Sequence, residues 1–136
     1  MALVEVDISM SVDGFITGPE TDEYPGLGRG EEILHAWFQR DPHGQPFTFV
    51  TEGIESAIAR ARAAAGDKTV HVMGGASVIQ QALNAGLVDS LHLHVAPIVL
   101  GAGTRLFDNL TEPIELERTE VVESQFGTHL RFRVVK

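Results

Sequence analysis

The chain has 136 residues, 43% of them hydrophobic and none of them cysteine, and its 10 basic against 19 acidic residues give a formal net charge of −9. One domain with a single core fits that length, while disorder, disulfides and cysteine-based zinc sites are excluded and nucleic acid is disfavoured as a partner. No apolar run reaches the length of a membrane span and no basic-then-apolar leader opens the chain, so no membrane contact and a cytoplasmic location are expected.

Leu3 to Ser11 alternates, with Val4, Val6, Ile8 and Met10 on one side and Glu5, Asp7 and Ser9 on the other. That is the pattern of a strand with one apolar face. Asp13-Gly14 turns the chain. Thr17 to Gly30 is loop by its glycines and prolines, and a short helix is expected over Glu31 to Gln39, with Trp37 and Phe38 in its core. Asp41 to Pro46 is loop again, and Phe47 to Thr51 reads as a short strand. Gly53 to Ala65 places Ile54, Ala57, Ile58, Ala61 and Ala65 on one helical stripe.

Thr69 to Met73 is the next strand, followed by a helix from Ser77 to Ala85 with Val78, Ile79, Ala82 and Leu83 on one face. Gly86 ends it. Ser90 to Leu100 reads as a long strand interrupted near Pro97, and Gly101-Ala102-Gly103 is a flexible turn into Leu106-Phe107. Ile114 to Ser124 and Thr128 to Val135 are two strands joined around Phe126-Gly127. Strand–helix–strand units before a terminal hairpin imply an α/β fold with a mixed, largely parallel sheet and helices on its faces.

Gly74-Gly75-Ala76-Ser77, between a strand and an amphipathic helix, is the most informative motif. Paired glycines let backbone come close to a ligand, and the N–H groups at the start of a helix favour an anion such as phosphate. A tight strand-to-helix turn without a ligand fits the four residues equally well.

His92 and His94 share a strand face, with His71, Glu5 and Asp7 able to join them from neighbouring strands. A His/carboxylate metal site is one reading. The favoured reading is that these side chains satisfy one another beneath a helix or form a polar subunit contact, and no metal is expected. His129, Arg131 and Arg133 alternate along the last strand as a solvated, edge-protecting face. Ser9, Ser11 and Ser77 lack the Gly-x-Ser-x-Gly setting of a serine hydrolase.

Val6 to Ile16, with Ser9-Met10-Ser11-Val12-Asp13-Gly14 at its centre, resembles the opening of the dihydrofolate-reductase-like proteins related to the reductase (C-terminal) domain of the bifunctional riboflavin-biosynthesis deaminase/reductase. Val72-Met73-Gly74-Gly75, Leu91-His92-Leu93-His94 and Leu100-Gly101-Ala102-Gly103-Thr104-Arg105-Leu106-Phe107 resemble the second half of that family. The resemblance covers nearly the whole chain. It implies a dihydrofolate-reductase-like fold: a mostly parallel central sheet, helices on both faces and a C-terminal antiparallel hairpin. It also implies an NADPH-dependent reductase acting on a small heterocyclic or carbonyl substrate, working as a homodimer.

By position, the resemblance assigns cofactor binding to Gly74, Gly75, Ala76, Ser77 and Val78 around the pyrophosphate. Ser9, Met10, Ser11 and Ile16 are assigned to the nicotinamide side. Ile8, Leu100, Gly101 and Gly103 would border the substrate, and Asp13 to Gly18 would be a mobile closing loop. Asp13 is the carboxylate placed to assist proton transfer, although capping of its own turn is the favoured role. The family also carries a further helix, two strands and a basic turn for the adenosine 2′-phosphate where this chain has only residues 40–46. Omission of residues joined near Arg40-Asp41 is favoured over a true deletion, which would leave sheet backbone unpaired. A non-catalytic nucleotide-binding or dimerisation module derived from the family is the alternative.

Overall fold

The computed structural model describes residues 2–18 and 50–136. The helix expected at 31–39 and the junction near 40–46 lie outside them. Of the strand expected over 47–51, residues 50 and 51 are described and belong to no strand.

Among the described residues, seven strands and two helices follow in order: β1 (Val4–Met10), β2 (Phe15–Thr17), α1 (Ile54–Ala65), β3 (Val70–Val72), α2 (Ala76–Asn84), β4 (Ser90–Val95), β5 (Thr104–Arg105), β6 (Leu116–Ser124) and β7 (Gly127–Val134). Five strands make one sheet in the order β3-β1-β4-β7-β6. Its first three strands are parallel, and β7 and β6 close it as an antiparallel hairpin.

Alternation in β1 sets the two sides of this sheet. Val4, Val6 and Ile8 lie in register beside Val70 and Val72 of β3 and Leu91 and Leu93 of β4, all buried on one face. Crossing from β3 to β4 takes α2 over β1, because parallel neighbours need a crossover connection. Its buried stripe of Ala76, Ile79, Ala82 and Leu83 joins that core, and Ile58 of α1 packs into the same cluster. Both described helices therefore cover one face. The other carries Glu5, Asp7, Ser9, His92, His94, His129 and Arg131.

Two further elements differ from the sequence reading. The long strand from Ser90 stops at Val95, where the chain leaves β7 but keeps hydrogen bonds to the end of β1 (Ala96 N to Met10 O, 2.9 Å; Val12 N to Ile98 O, 2.9 Å). Pro97, which has no N–H to give a ladder, falls at this departure. Phe15–Thr17, within the expected mobile loop, is instead a short strand paired antiparallel with β5. None of the described helices is long and apolar enough to cross a membrane.

Candidate functional site

The parallel strands β3, β1 and β4 end on one side of the sheet, where open α/β sheets place ligands. Gly74-Gly75 follows β3 there. Gly74 has φ 142°, a conformation that favours glycine, and a Cβ added at either glycine would meet no heavy atom within 4 Å. Neither glycine is therefore required by internal packing at the Cβ position. The backbone borders open space.

Gly75 is also the N-cap of α2 and makes no side-chain capping bond. The first turn of α2 presents the backbone N–H groups that every helix start leaves without intrahelical partners. Ala76, Ser77 and Gln80 line a cleft of about 470 Å³, faced by Gly103, Thr104 and Arg105. Arg105 supplies a cation to that wall and lies 5.0 Å over the Phe15 ring. Gln80 fixes the opposite wall: its amide nitrogen donates to Leu106 O at 3.0 Å, and its oxygen accepts from Asn109 Nδ2 at 3.2 Å. Gln80, Arg105 and Asn109 were not singled out from sequence. A polar residue on the buried stripe of an amphipathic helix was the available signal for Gln80.

The other expected residues separate into distinct settings. Ala76 is buried, while Ser77 and Val78 are exposed at the start of α2. Ile8 and Ile16 belong to the core and Met10 packs partly buried against it. Ser9 is buried on the opposite face from these apolar residues. Ser11 is fully buried, accepting from Phe15 N at 3.0 Å and donating to Asp13 Oδ1 at 2.5 Å.

Asp13 ties two loops together, accepting from Leu100 N at 3.1 Å and Gly101 N at 2.8 Å. The Ser11 hydroxyl, opposed by partial burial and aided by these amides, holds its carboxyl down at about 2. An acid that strong is ionised at neutral pH, so the group acts as an acceptor that positions Leu100 and Gly101. Since its folded value lies below the ordinary 3.8, the stability it contributes is complete above that value and is lost as pH falls through about 2. Carboxyl-carbon NMR should place the Asp13 midpoint near 2; a midpoint in the ordinary aspartate range would contradict this clamp.

Several known proteins are similar to this chain in sequence or in fold. A family profile described as RibD C-terminal domain matches residues 51–130. Uncharacterized protein YyaP of Bacillus subtilis (strain 168) is 42% identical over 50 residues, covering 37% of this chain and 27% of that protein. Uncharacterized protein YwjB of the same organism is 29% identical over 89 residues, covering 65% of this chain and 49% of that protein. The chain thus spans less than two thirds of the length of either. Riboflavin biosynthesis reductase Rib7 of Saccharomyces cerevisiae superposes with a TM-score of 0.61 at 16% identity, over 99% of this chain and 89% of that one. The fold is common to both.

Proposed function

Because the chain belongs to the RibD C-terminal domain family, with riboflavin-pathway reductases among its structural relatives, we propose that it is an oxidoreductase that uses NADPH to reduce a small heterocyclic or carbonyl compound. The observation that carries this reading is the Gly74-Gly75 turn. It leaves open space beside the backbone where that backbone enters the uncapped start of α2.

A dinucleotide pyrophosphate fits there. Its oxygens would accept from the N–H groups of Ala76, Ser77 and Val78, with the helix dipole aligned to favour the charge. Arg105, across the cleft, adds a point of positive charge to a lining that also holds the Asp108 carboxylate. When bound, NADPH supplies the hydride; the chain's contribution is to hold and orient the reactants. Asp13 serves as a positioning residue, keeping Leu100 and Gly101 against the turn after β1. Met10 and Ile16 contribute apolar surface from the core side.

A second copy of this chain is the partner in this reading. The β6 edge exposes Val121 and Val122, each 46% accessible, and sedimentation should find a dimer. Fluorescence titration of the purified protein with NADPH, and NADH for comparison, tests the cofactor assignment. Saturable micromolar binding with NADPH preferred is the expected result. Failure of both nucleotides to bind would retire the reductase reading and leave the non-catalytic one.

A further inference from the structure

The sheet face away from the described helices holds a side-chain cluster that the proposed reductase chemistry does not use. Register alone assembles it: Asp7 pairs with His92, Ser9 with His94, and Glu5 with His71. Across β4, His92 faces Arg131 and His94 faces His129. The ligand-capable atoms of Asp7, His92 and His94 all lie within 4.8 Å of one another.

We propose that Asp7, His92 and His94 form a binding site for one divalent transition-metal cation. Two imidazoles and one carboxylate suit a borderline ion such as zinc, and not calcium or magnesium, which take oxygen ligands. With metal–ligand bonds of roughly 2.0–2.2 Å, tetrahedral ligand atoms stand about 3.4 Å apart. Asp7 Oδ2 and His92 Nδ1 are 3.7 Å apart, close to that spacing. His94 Nε2 meets the other carboxylate oxygen, Oδ1, at 2.6 Å, so each imidazole faces a different Asp7 oxygen and a hydrogen bond spans the gap that a cation would widen by under about 1 Å. The fourth position is left to water.

The surroundings supply the second, independent argument. His94 Nδ1 is 2.6 Å from His129 Nδ1, and His129 Nε2 is 2.9 Å from Ser124 Oγ. Metal-bound histidines characteristically donate their other N–H to a carboxylate, backbone carbonyl or water, and here the His129 imidazole takes that place. Here the proton positions along the chain run in either direction. With Nε2 of His94 on the metal, Nδ1–H donates to His129 and His129 donates to Ser124. No proton need leave the chain of rings.

Charge balance agrees. Arg131 is matched by Glu5 at 3.1 Å and Glu120 at 2.8 Å, which with Asp7 makes three carboxylates against one guanidinium. Arg131 also donates to His92 Nδ1 at 3.0 Å, a bond that ligation through that atom would displace while both carboxylate contacts remain. Burial, then the neighbouring His94 and Arg131 charges, hold the His92 imidazolium below its usual range. Burial opposes the Asp7 charge, but the His94 hydrogen bond and the three nearby histidines bring its carboxyl below the usual range.

Calorimetric titration of the metal-stripped protein, prepared without a histidine tag, with zinc chloride and with magnesium chloride tests the site. One saturable zinc equivalent and no magnesium binding are expected. Affinity should fall at least about tenfold in His92→Gln, His94→Gln and Asp7→Asn. His71 meets Asp7 Oδ2 at 3.5 Å in a grouping that shares Asp7 but neither His92 nor His94, so His71→Gln should lower affinity less than any of the three ligand variants. Cobalt absorption of the unaltered protein gives a reading independent of variant folding: d–d bands with nitrogen ligation are expected. Absence of zinc binding, a cobalt spectrum identical to that of the aqueous ion, or loss of affinity in His71→Gln but not His92→Gln would each overturn the proposal.

Discussion

Replacing Gly103 by alanine should lower thermal stability by roughly 2–3 kcal/mol, the cost of forcing a side chain into a disallowed backbone region together with a backbone collision. Gly103 has φ 131°, and its added Cβ would overlap Thr17 O while standing 2.9 Å from Thr17 C and 3.0 Å from Gly18 C. These are backbone atoms of the last residue of β2 and the one after it, and they cannot turn aside as a side-chain tip does. Relief requires β2 and β5 to separate. That separation would also remove the bond from Thr104 N to Thr17 Oγ1 and loosen the one from Leu106 N to Gly14 O. For a chain of this size the expected loss corresponds to a fall in melting temperature of about 10 °C. Gly101→Ala is the control: φ is 76° but the space is open, so only conformational strain of about 1–2 kcal/mol applies. Equal melting temperatures for the two variants would show that the β2–β5 contact is not what Gly103 is for.

Much of this architecture was legible because its signals are local. The period-two pattern of Leu3 to Ser11 marked both the core face and the polar face of β1, and the turn glycines bounded α2 within one residue. The Gly74-Gly75 turn likewise announced its place from sequence. What was not legible depends on distant partners. Phe15–Thr17 becomes a strand only because Gly103, far along the chain, lets β5 approach it. Asp13 reads as a turn cap in isolation, and its hold on Leu100 and Gly101 appears only when the loop after β4 folds back. Gln80 carries its role for the same reason.

The two faces of β1 then divide the molecule's chemistry. Its apolar side is spent on α1 and α2 and leaves the strand ends to form the cleft. Its polar side aligns Glu5, Asp7 and Ser9 with the histidines of β3 and β4, because side chains in register share a face. A change confined to one face should therefore leave the other's ligand unaffected. Zinc affinity and NADPH affinity are expected to vary independently among the variants named above.

Gly75→Ala tests the proposed cofactor cradle most cleanly, and its expected result is the reverse of that for Gly103. Its φ of −77° is accessible to any L-residue, and its Cβ would meet no protein atom within 4 Å. Stability should change by no more than about 1 kcal/mol, the scale of exchanging glycine for alanine at a helix N-cap. Binding is different, because the new methyl group stands in the space through which a pyrophosphate oxygen must approach the amides of Ala76 and Ser77. Distance governs such charge-assisted hydrogen bonds, so pushing the phosphate outward weakens several at once. NADPH affinity should fall at least about tenfold, equivalent to about 1.4 kcal/mol. Parallel measurement of melting temperature and nucleotide titration separates the two effects in one preparation. Unchanged affinity in a folded Gly75→Ala protein would move the phosphate site away from α2, whereas lost affinity with a preserved melting temperature would assign it there by function.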